Sequence, residues 1–443
     1  MHNFSVIIPT FNEEFYLEKN IRLLKSLKGN VEIIIADGGS TDKTLEITAA
    51  ENVKVVKSKL GRGIQLNKGA EAASGDILCF LHADTFLPCS TIEILDSFFE
   101  NPKNKVCRFL LGFDVEHRLL DKYTYFSKYD TVFSRFGDMF IAVRKNFFFD
   151  VNKFPEWKIF EDVEFLKKVS KKEKVSVLNL RVSSSARAFL KYGVVNQQLF
   201  NGYLILKYLI GFRKFIDKGS YYKNRKMKNK TSIIIFLRYP KEGKVKTRLA
   251  SSIGYTKATK IYKTIAEHTV DEIKQIQNCN KYIFYSVEDE KDLIKQWLGK
   301  RFFYSHQEGT ELGERMKNAF AKVFGHGAEN VIIVGTDIPE LSSAEITKAI
   351  KDLEKFDAVI GPSEDGGYYL LGMKKFNQKL FEDIEYSTDK VFDETIDRIT
   401  KSGMSYNLLN SLDDIDTEKD LTNWLNKSKN NLLKEKIEKI ISK

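Results

Sequence analysis

Four cysteines serve all 443 residues, and Cys79, Cys89, Cys107 and Cys279 form no CxxC pair. Lying in or beside apolar runs, they point to reduced, structural thiols in a reducing compartment rather than to disulfides or a zinc site. No uncharged apolar run approaches the roughly 18 residues a spanning helix needs, so the chain is not expected to cross a bilayer. Met1 leads directly into a strand-like FSVIIPT, without a basic n-region, a long apolar stretch or a small-residue cleavage site. That is not a secretory leader, and a cytoplasmic protein is expected.

What the chain does have is 42% apolar and 30% charged residues, enough to bury a core and keep it soluble, over a length that calls for two domains. Its net charge of +11 fits three kinds of partner: nucleic acid, an anionic membrane surface, or phosphate-bearing substrates. Charge alone does not choose among them.

Short β-branched runs recur at Ser5 to Ile8, Val31 to Ala36, Val53 to Val56 and Asp76 to Leu81, with helical spacing at Glu14 to Leu27 and Lys43 to Ala50. This alternation predicts βαβ units and a mostly parallel sheet flanked by helices. After Asp84 the pattern loosens until a helix-like Glu161 to Val169 and a strand-like Val175 to Val182. A basic stretch over 216–230 reads as a linker. TSIIIFLRYP from Thr231 then restarts the alternation, so the expected domains are 1–215 and 231–425, with 426–443 a surface helix. Both halves open with an apolar strand and a proline, and both carry a later strand ending in aspartate (Asp84, Asp337), the pattern of one architecture used twice.

Ligands of open parallel sheets bind outside the carboxyl ends of the strands, so the polar residues that follow strands carry the functional reading. SVIIPTFNEE places Pro9, Thr10, Asn12 and Glu13 there. IIIADGGSTDKT ends a strand at Asp37, whose carboxylate can take ribose hydroxyls or a base N–H while the glycines admit a nucleotide to the backbone. DILCFLHADT ends the next at Asp84, positioned to hold Mg²⁺ or Mn²⁺ against a diphosphate. Taken singly, Asp37-Gly38-Gly39 is equally a turn with a helix cap, Asp84 a strand-end turn, and His82 a packed histidine. Glu161-Asp162 taken singly is an acidic first turn that complements a helix dipole.

Together SVIIPTFNEE, ADGGSTDKT, GRGIQLNKGAEAASGDILCFLHADT and FEDVEFLKKV resemble family 2 glycosyltransferases, over most of residues 1–215. Among these the chain looks closest to a subgroup with FLHADT in place of the usual DxD, which family names tie to radical-SAM or selenium-domain neighbours and to arsenosugar biosynthesis. The resemblance implies a GT-A fold, Asp37 on the nucleotide and Asp84 on metal and diphosphate. Pro9, Thr10 and Glu13 also fall at the nucleotide, and Arg62, Gln65 and Asn67 are candidates to contact it or else to form a solvated helix face. It makes Asp162 the general base of an inverting transfer, assisted by Glu161. His82 stands where that motif usually begins with Asp, which implies fewer protein oxygens on the metal. Arg187, in SSSARAFLKYG, can neutralise a leaving diphosphate or be merely exposed.

In the second half, IIIFLRYPKEGKVKTRLA supplies Arg238, Lys241, Lys244, Lys246 and Arg248 around Gly243, a loop suited to phosphates or simply a basic one. VIIVGTDIP ends at Asp337, read as a metal carboxylate, and AVIGPSEDGGYYLLG offers Glu364 and Asp365, the latter read as touching the transferred or accepting group. With ELGERM and LDDIDT these residues resemble the DUF2064 family over roughly 231–425, a GT-A-like fold of nucleotide-diphospho-sugar transferase type. That family is similar also to molybdenum-cofactor-type nucleotidyltransferases, so its resemblance implies either glycosyl or nucleotidyl transfer.

The expected protein is therefore a bifunctional, metal-assisted transferase whose partners are a nucleotide-sugar donor and a small or lipid-linked acceptor. A nucleic-acid binder is disfavoured, because the densest basic run falls in the linker without aromatic stacking residues. YLILKYLIGFRKFI, Tyr203 to Ile216, followed by the basic run, reads either as a core helix or as a segment lying on anionic lipid.

Overall fold

The computed structural model describes residues 1–129, 135, 139–157, 159–212, 229–386, 388–428 and 430–442. The chain divides into two units, Met1–Lys226 and Met227–Lys443. Of the stretch 216–230 expected as a linker, all but 229–230 lies outside the described residues, as do the last four residues of the segment Tyr203 to Ile216.

The first unit holds β1 (Asn3–Thr10), β2 (Asn30–Asp37), β3 (Lys54–Lys57), β4 (Ile77–Phe80), β5 (Thr85–Phe86), β6 (Val106–Leu110), β7 (Ile141–Arg144), β8 (Ser176–Arg181) and β9 (Ser183–Ser184). Seven of these form one sheet in the order β3-β2-β1-β4-β7-β6-β8, while β5 and β9 make a small ribbon. Strands β3, β2, β1 and β4 run parallel, and β7 is antiparallel to both neighbours. Continuous apolar runs such as SVII are needed because helices cover both faces of the sheet. Val6 and Ile8 enter the core on one side, Ile7 that on the other.

The sequence assigns no strand between Asp84 and Glu161, where β6 and β7 lie. VCRFL carries a charge in mid-strand, which breaks the apolar pattern. Arg108 is nevertheless fully buried, because its guanidinium donates to the carbonyls of Ser127 and Tyr129, each at 2.8 Å.

The second unit repeats the plan with β10 (Thr231–Leu237), β11 (Cys279–Tyr285), β12 (Phe303–His306), β13 (Asn330–Val334), β14 (Ala358–Pro362), β15 (Tyr368–Met373) and β16 (Tyr406–Leu408), ordered β12-β11-β10-β13-β15-β14-β16. Numbered along the chain within each sheet, both orders read 3-2-1-4-6-5-7, with the sixth strand antiparallel in each. The α/β architecture of two largely parallel sheets flanked by helices is therefore as expected. The helix Asn431–Ile441 buries Leu433 and Ile437 in a cluster with Ile261 and Ile265 of the helix Tyr255–Gln275, so this core continues past residue 425. All four cysteines are free, Cys79 and Cys107 being buried. Among the described residues no helix is long and apolar enough to cross a membrane.

Candidate active sites

At the carboxyl edge of the first sheet, the loops after β1 and β2 are laced together. Asn12, in the left-handed region at φ 58°, accepts from the Thr41 amide at 2.8 Å, and its own amide donates to Ser40 Oγ at 3.0 Å. Asp37 is buried and accepts from Gly39 N (2.8 Å), Ser40 Oγ (2.6 Å) and Thr10 Oγ1 (3.2 Å). Burial alone raises its pKa, but the donors from Ser40, Gly39 and Thr10 outweigh that and hold the carboxyl below its ordinary value. Asp37 is thus a fixed anion at the end of β2, with Thr10 at its side.

Glu13 and Asp84 converge on one cation. Arg187 donates to both Glu13 oxygens at 2.8 Å, and its Nε lies 3.1 Å from Asp84 Oδ2. Arg187 is therefore part of this site, whereas the Glu13 carboxylate is taken up by it. A hard divalent cation takes about six oxygens. Among the described residues no group of three or more His, Cys, Asp or Glu side chains converges to hold one. A metal bound here would meet one carboxylate, Asp84, which Arg187 also contacts, and would need its remaining oxygens from a diphosphate and water.

The third element is the helix Glu161–Val169, which starts where the sequence places it. Phe160 before it adopts φ 62°, a left-handed conformation that a bulky residue enters at a cost of about 1–3 kcal/mol, and this turns the acid pair into the fold. The two acids then part company. Glu161 is fully buried, its Oε1 accepts from Arg62 Nε at 2.7 Å, and its Oε2 is buried without a hydrogen-bond partner. Asp162 Oδ1 accepts from the Val163 amide at 2.7 Å, and Asp162 lines, together with Glu161, Pro9, Leu81, His82 and Met139, a cavity of about 10 Å³. Close packing makes this possible: a Cβ on Gly63 would stand 2.1 Å from the Pro155 carbonyl oxygen.

Gln65 and Asn67 face inward. Gln65 Nε2 donates to the carbonyls of Thr10 and Ala36, both at 2.8 Å, and Asn67 exchanges hydrogen bonds with the backbone of Phe154. Gln307 does the same work in the second unit, donating to Phe284 O at 2.8 Å and Leu237 O at 3.4 Å. In each sheet a buried glutamine ties off the carboxyl ends of the first two strands, which opens the crevice beside them.

That crevice in the second unit is a cleft of about 720 Å³, the size of a small-molecule site. Arg238, Lys246, Arg248, Asp337 and Asp365 all line it, joined by Arg315, Asp414 and Asp416. Lys246, in the left-handed region at φ 46°, has a side chain only 4% exposed; its Nζ lies 2.6 Å from Asp416 Oδ1 and 3.4 Å from Asp337 Oδ1. Burial opposes its charge, but Asp337 and Asp416 outweigh burial and raise its pKa. Burial, with the charges of Asp416 and Asp365 added, pushes the Asp414 carboxyl up to about 6. Asp365 accepts from Ser363 Oγ and, at 3.1 Å, from the Gly367 amide. Asp414 and Asp416 belong to LDDIDT, a motif that the resemblance includes but to which the sequence reading gives no role.

Residues 5–157 match the profile of glycosyl transferase family 2, and residues 269–388 that of DUF2064, described as an uncharacterized protein conserved in bacteria. An uncharacterized glycosyltransferase of Haemophilus influenzae is 36% identical over 97 residues, 20% of this chain and 39% of that protein. A dolichyl N-acetyl-alpha-D-glucosaminyl phosphate diacetamido-dideoxy-glucuronosyltransferase of Methanococcus voltae is 35% identical over 97 residues, 19% of this chain and 30% of that protein. The chain therefore spans well under half the length of these curated relatives. The solved structure of a putative nucleotide-diphospho-sugar transferase from Desulfovibrio desulfuricans G20 is 31% identical, with a TM-score of 0.46, covering 48% of this chain and 97% of that one. The chain thus carries a glycosyl transferase family 2 domain in its first unit and a DUF2064 domain in its second.

Proposed function

We propose that the first unit transfers a glycosyl group from a nucleotide sugar to an acceptor hydroxyl with inversion. Asp37 and the loop after β1 receive the nucleoside, and Arg187 faces the diphosphate. Asp162 removes the acceptor proton as its oxygen attacks the anomeric carbon; the bond to the nucleotide breaks on the opposite face, and its electron pair leaves with the diphosphate. Asp84 would hold Mg²⁺ or Mn²⁺, which when bound neutralises diphosphate charge. Glu161, locked to Arg62, positions the helix rather than moving a proton. The observation that carries this reading is that Asp162, beside Pro9 and His82, stands at the same carboxyl edge of the sheet as Asp37 and the Arg187–Asp84 pair.

The second unit is read as another nucleotide-dependent glycosyltransferase, with Arg238, Lys246 and Arg248 on phosphates, Asp337 at a metal and Asp365 at the reacting group. The four cations of its cleft, which stand beside four aspartates, fit a triphosphate equally, and nucleotidyl transfer is the second reading, recognised by release of pyrophosphate. Thermal shift of the full chain against nucleotide sugars and nucleoside triphosphates with Mn²⁺ or Mg²⁺ tests both. Stabilisation lost in Asp84→Ala assigns a ligand to the first unit, and loss in Asp337→Ala assigns it to the second. A ligand whose stabilisation survives both substitutions contradicts the metal assignments.

A further inference from the structure

The helix Val194–Leu209 is apolar on two opposite faces. Leu204 and Tyr208 point one way and pack with Ile159 and Val163. The other face is open: Val195 is 57% exposed, Leu199 70%, Leu206 56% and, just past the helix, Ile210 62%, with Tyr203 and Leu209 also exposed. At 100° per residue, Val195, Leu199, Tyr203, Leu206 and Ile210 fall within one stripe, and no charged residue interrupts it. Single exposed apolar residues are ordinary, but a stripe running some 24 Å along a helix is an interaction surface.

The charge beside it and the charge that follows it in the sequence name its partner. Lys207 flanks the stripe with its Nζ 4.9 Å from the Tyr203 ring centroid, apolar stem and aromatic ring together at the edge. The sequence that follows the helix carries Arg213, Lys214, Lys218, Lys223, Arg225, Lys226, Lys228 and Lys230 against one acid, Asp217. An apolar stripe without charge, succeeded by a dense run of cations, is the combination that inserts among acyl chains and draws on anionic headgroups at once.

We propose that the Val195–Leu199–Leu206–Ile210 face lies on the surface of an anionic bilayer, holding the first unit at the membrane without spanning it. This does not depend on the reaction assigned above. The test is flotation of the full chain with vesicles of phosphatidylcholine alone, or of phosphatidylcholine with phosphatidylglycerol, beside the variant Leu199→Gln/Leu206→Gln. Both leucines are exposed, so the variant keeps the wild-type unfolding midpoint. The wild type floats with the anionic vesicles, less so as salt is raised, and stays below with the neutral ones. The variant floats with the anionic vesicles at least roughly ten-fold less. A wild type that ignores anionic vesicles, or a variant that floats as well as wild type, overturns the proposal. A wild-type dimer that the variant converts to monomer, without any flotation, also overturns it and gives the face to a second copy of the chain.

Discussion

Arg187 and Glu13 stand 174 residues apart and meet through two hydrogen bonds of 2.8 Å, with Asp84 3.1 Å from the third nitrogen of the same guanidinium. One planar cation thus fixes the loop after β1 to the loop after β4. Arg187→Ala leaves two carboxylates facing each other and is expected to destabilise the chain by about 1–3 kcal/mol, discounted for partial exposure. Arg187→Lys keeps the charge but not the fork, and should recover only part of the loss. Thermal unfolding reads both. A double variant, Glu13→Gln with Arg187→Gln, that loses the full sum of the two single changes argues against coupling.

Lys246 plays the corresponding part in the second unit, between Asp337 and Asp416. Lys246→Met is expected to weaken nucleotide binding there by about ten-fold or more, through loss of a fixed cation and release of two acids from their shared partner. Calorimetric titration with the ligand assigned to that unit measures it. Unchanged affinity removes Lys246 from the phosphate site.

These two clusters show where the sequence stops being legible. Strands β1 and β2, the position of Asp37 at the end of β2 and the start of the helix Glu161–Val169 depend on local spacing, and they are read correctly from runs of ten residues. Arg187 with Glu13, and Lys246 with Asp416, depend on chain reversals of 174 and 170 residues, which no local pattern encodes. Gln65 and Asn67 mislead for a related reason: a polar residue on a helix beside a site reads as ligand-facing, but both are spent on buried backbone groups. Arg108 hides β6 because its partners, Ser127 and Tyr129, come from outside the strand.

Acid stability depends on Glu32. Burial raises its pKa, but donors from Ser5, Ser74 and Lys54 outweigh burial and bring the carboxyl down from 4.5 to about 2. A depressed carboxylate stabilises above its unfolded pKa and loses that contribution as pH falls from 4.5 towards 2. Glu32→Gln should therefore cost about 1–3 kcal/mol at neutral pH and only a small part of that at pH 2, where the folded-state carboxyl is half protonated. Urea denaturation across that range checks the sign, and a cost as large at pH 2 as at neutral pH contradicts it.

Cutting the chain near Asn229 should yield two pieces that unfold cooperatively on their own, since each sheet and its cores are completed within one unit. Calorimetry of the pieces tests the division, and a half that shows no unfolding transition argues against it.

Asp162 is the base of the proposed transfer. Asp162→Asn keeps its shape but cannot accept the acceptor's proton, so turnover with a nucleotide-sugar donor should fall by about 10²–10⁴ while donor affinity barely moves. The direct measurement is the rate and anomeric configuration of the glycosyl product from wild type and Asp162→Asn. Inversion by wild type, with that loss in the variant, is the predicted result. A product of retained configuration, or a variant that transfers at near the wild-type rate, contradicts a single displacement with Asp162 as its base.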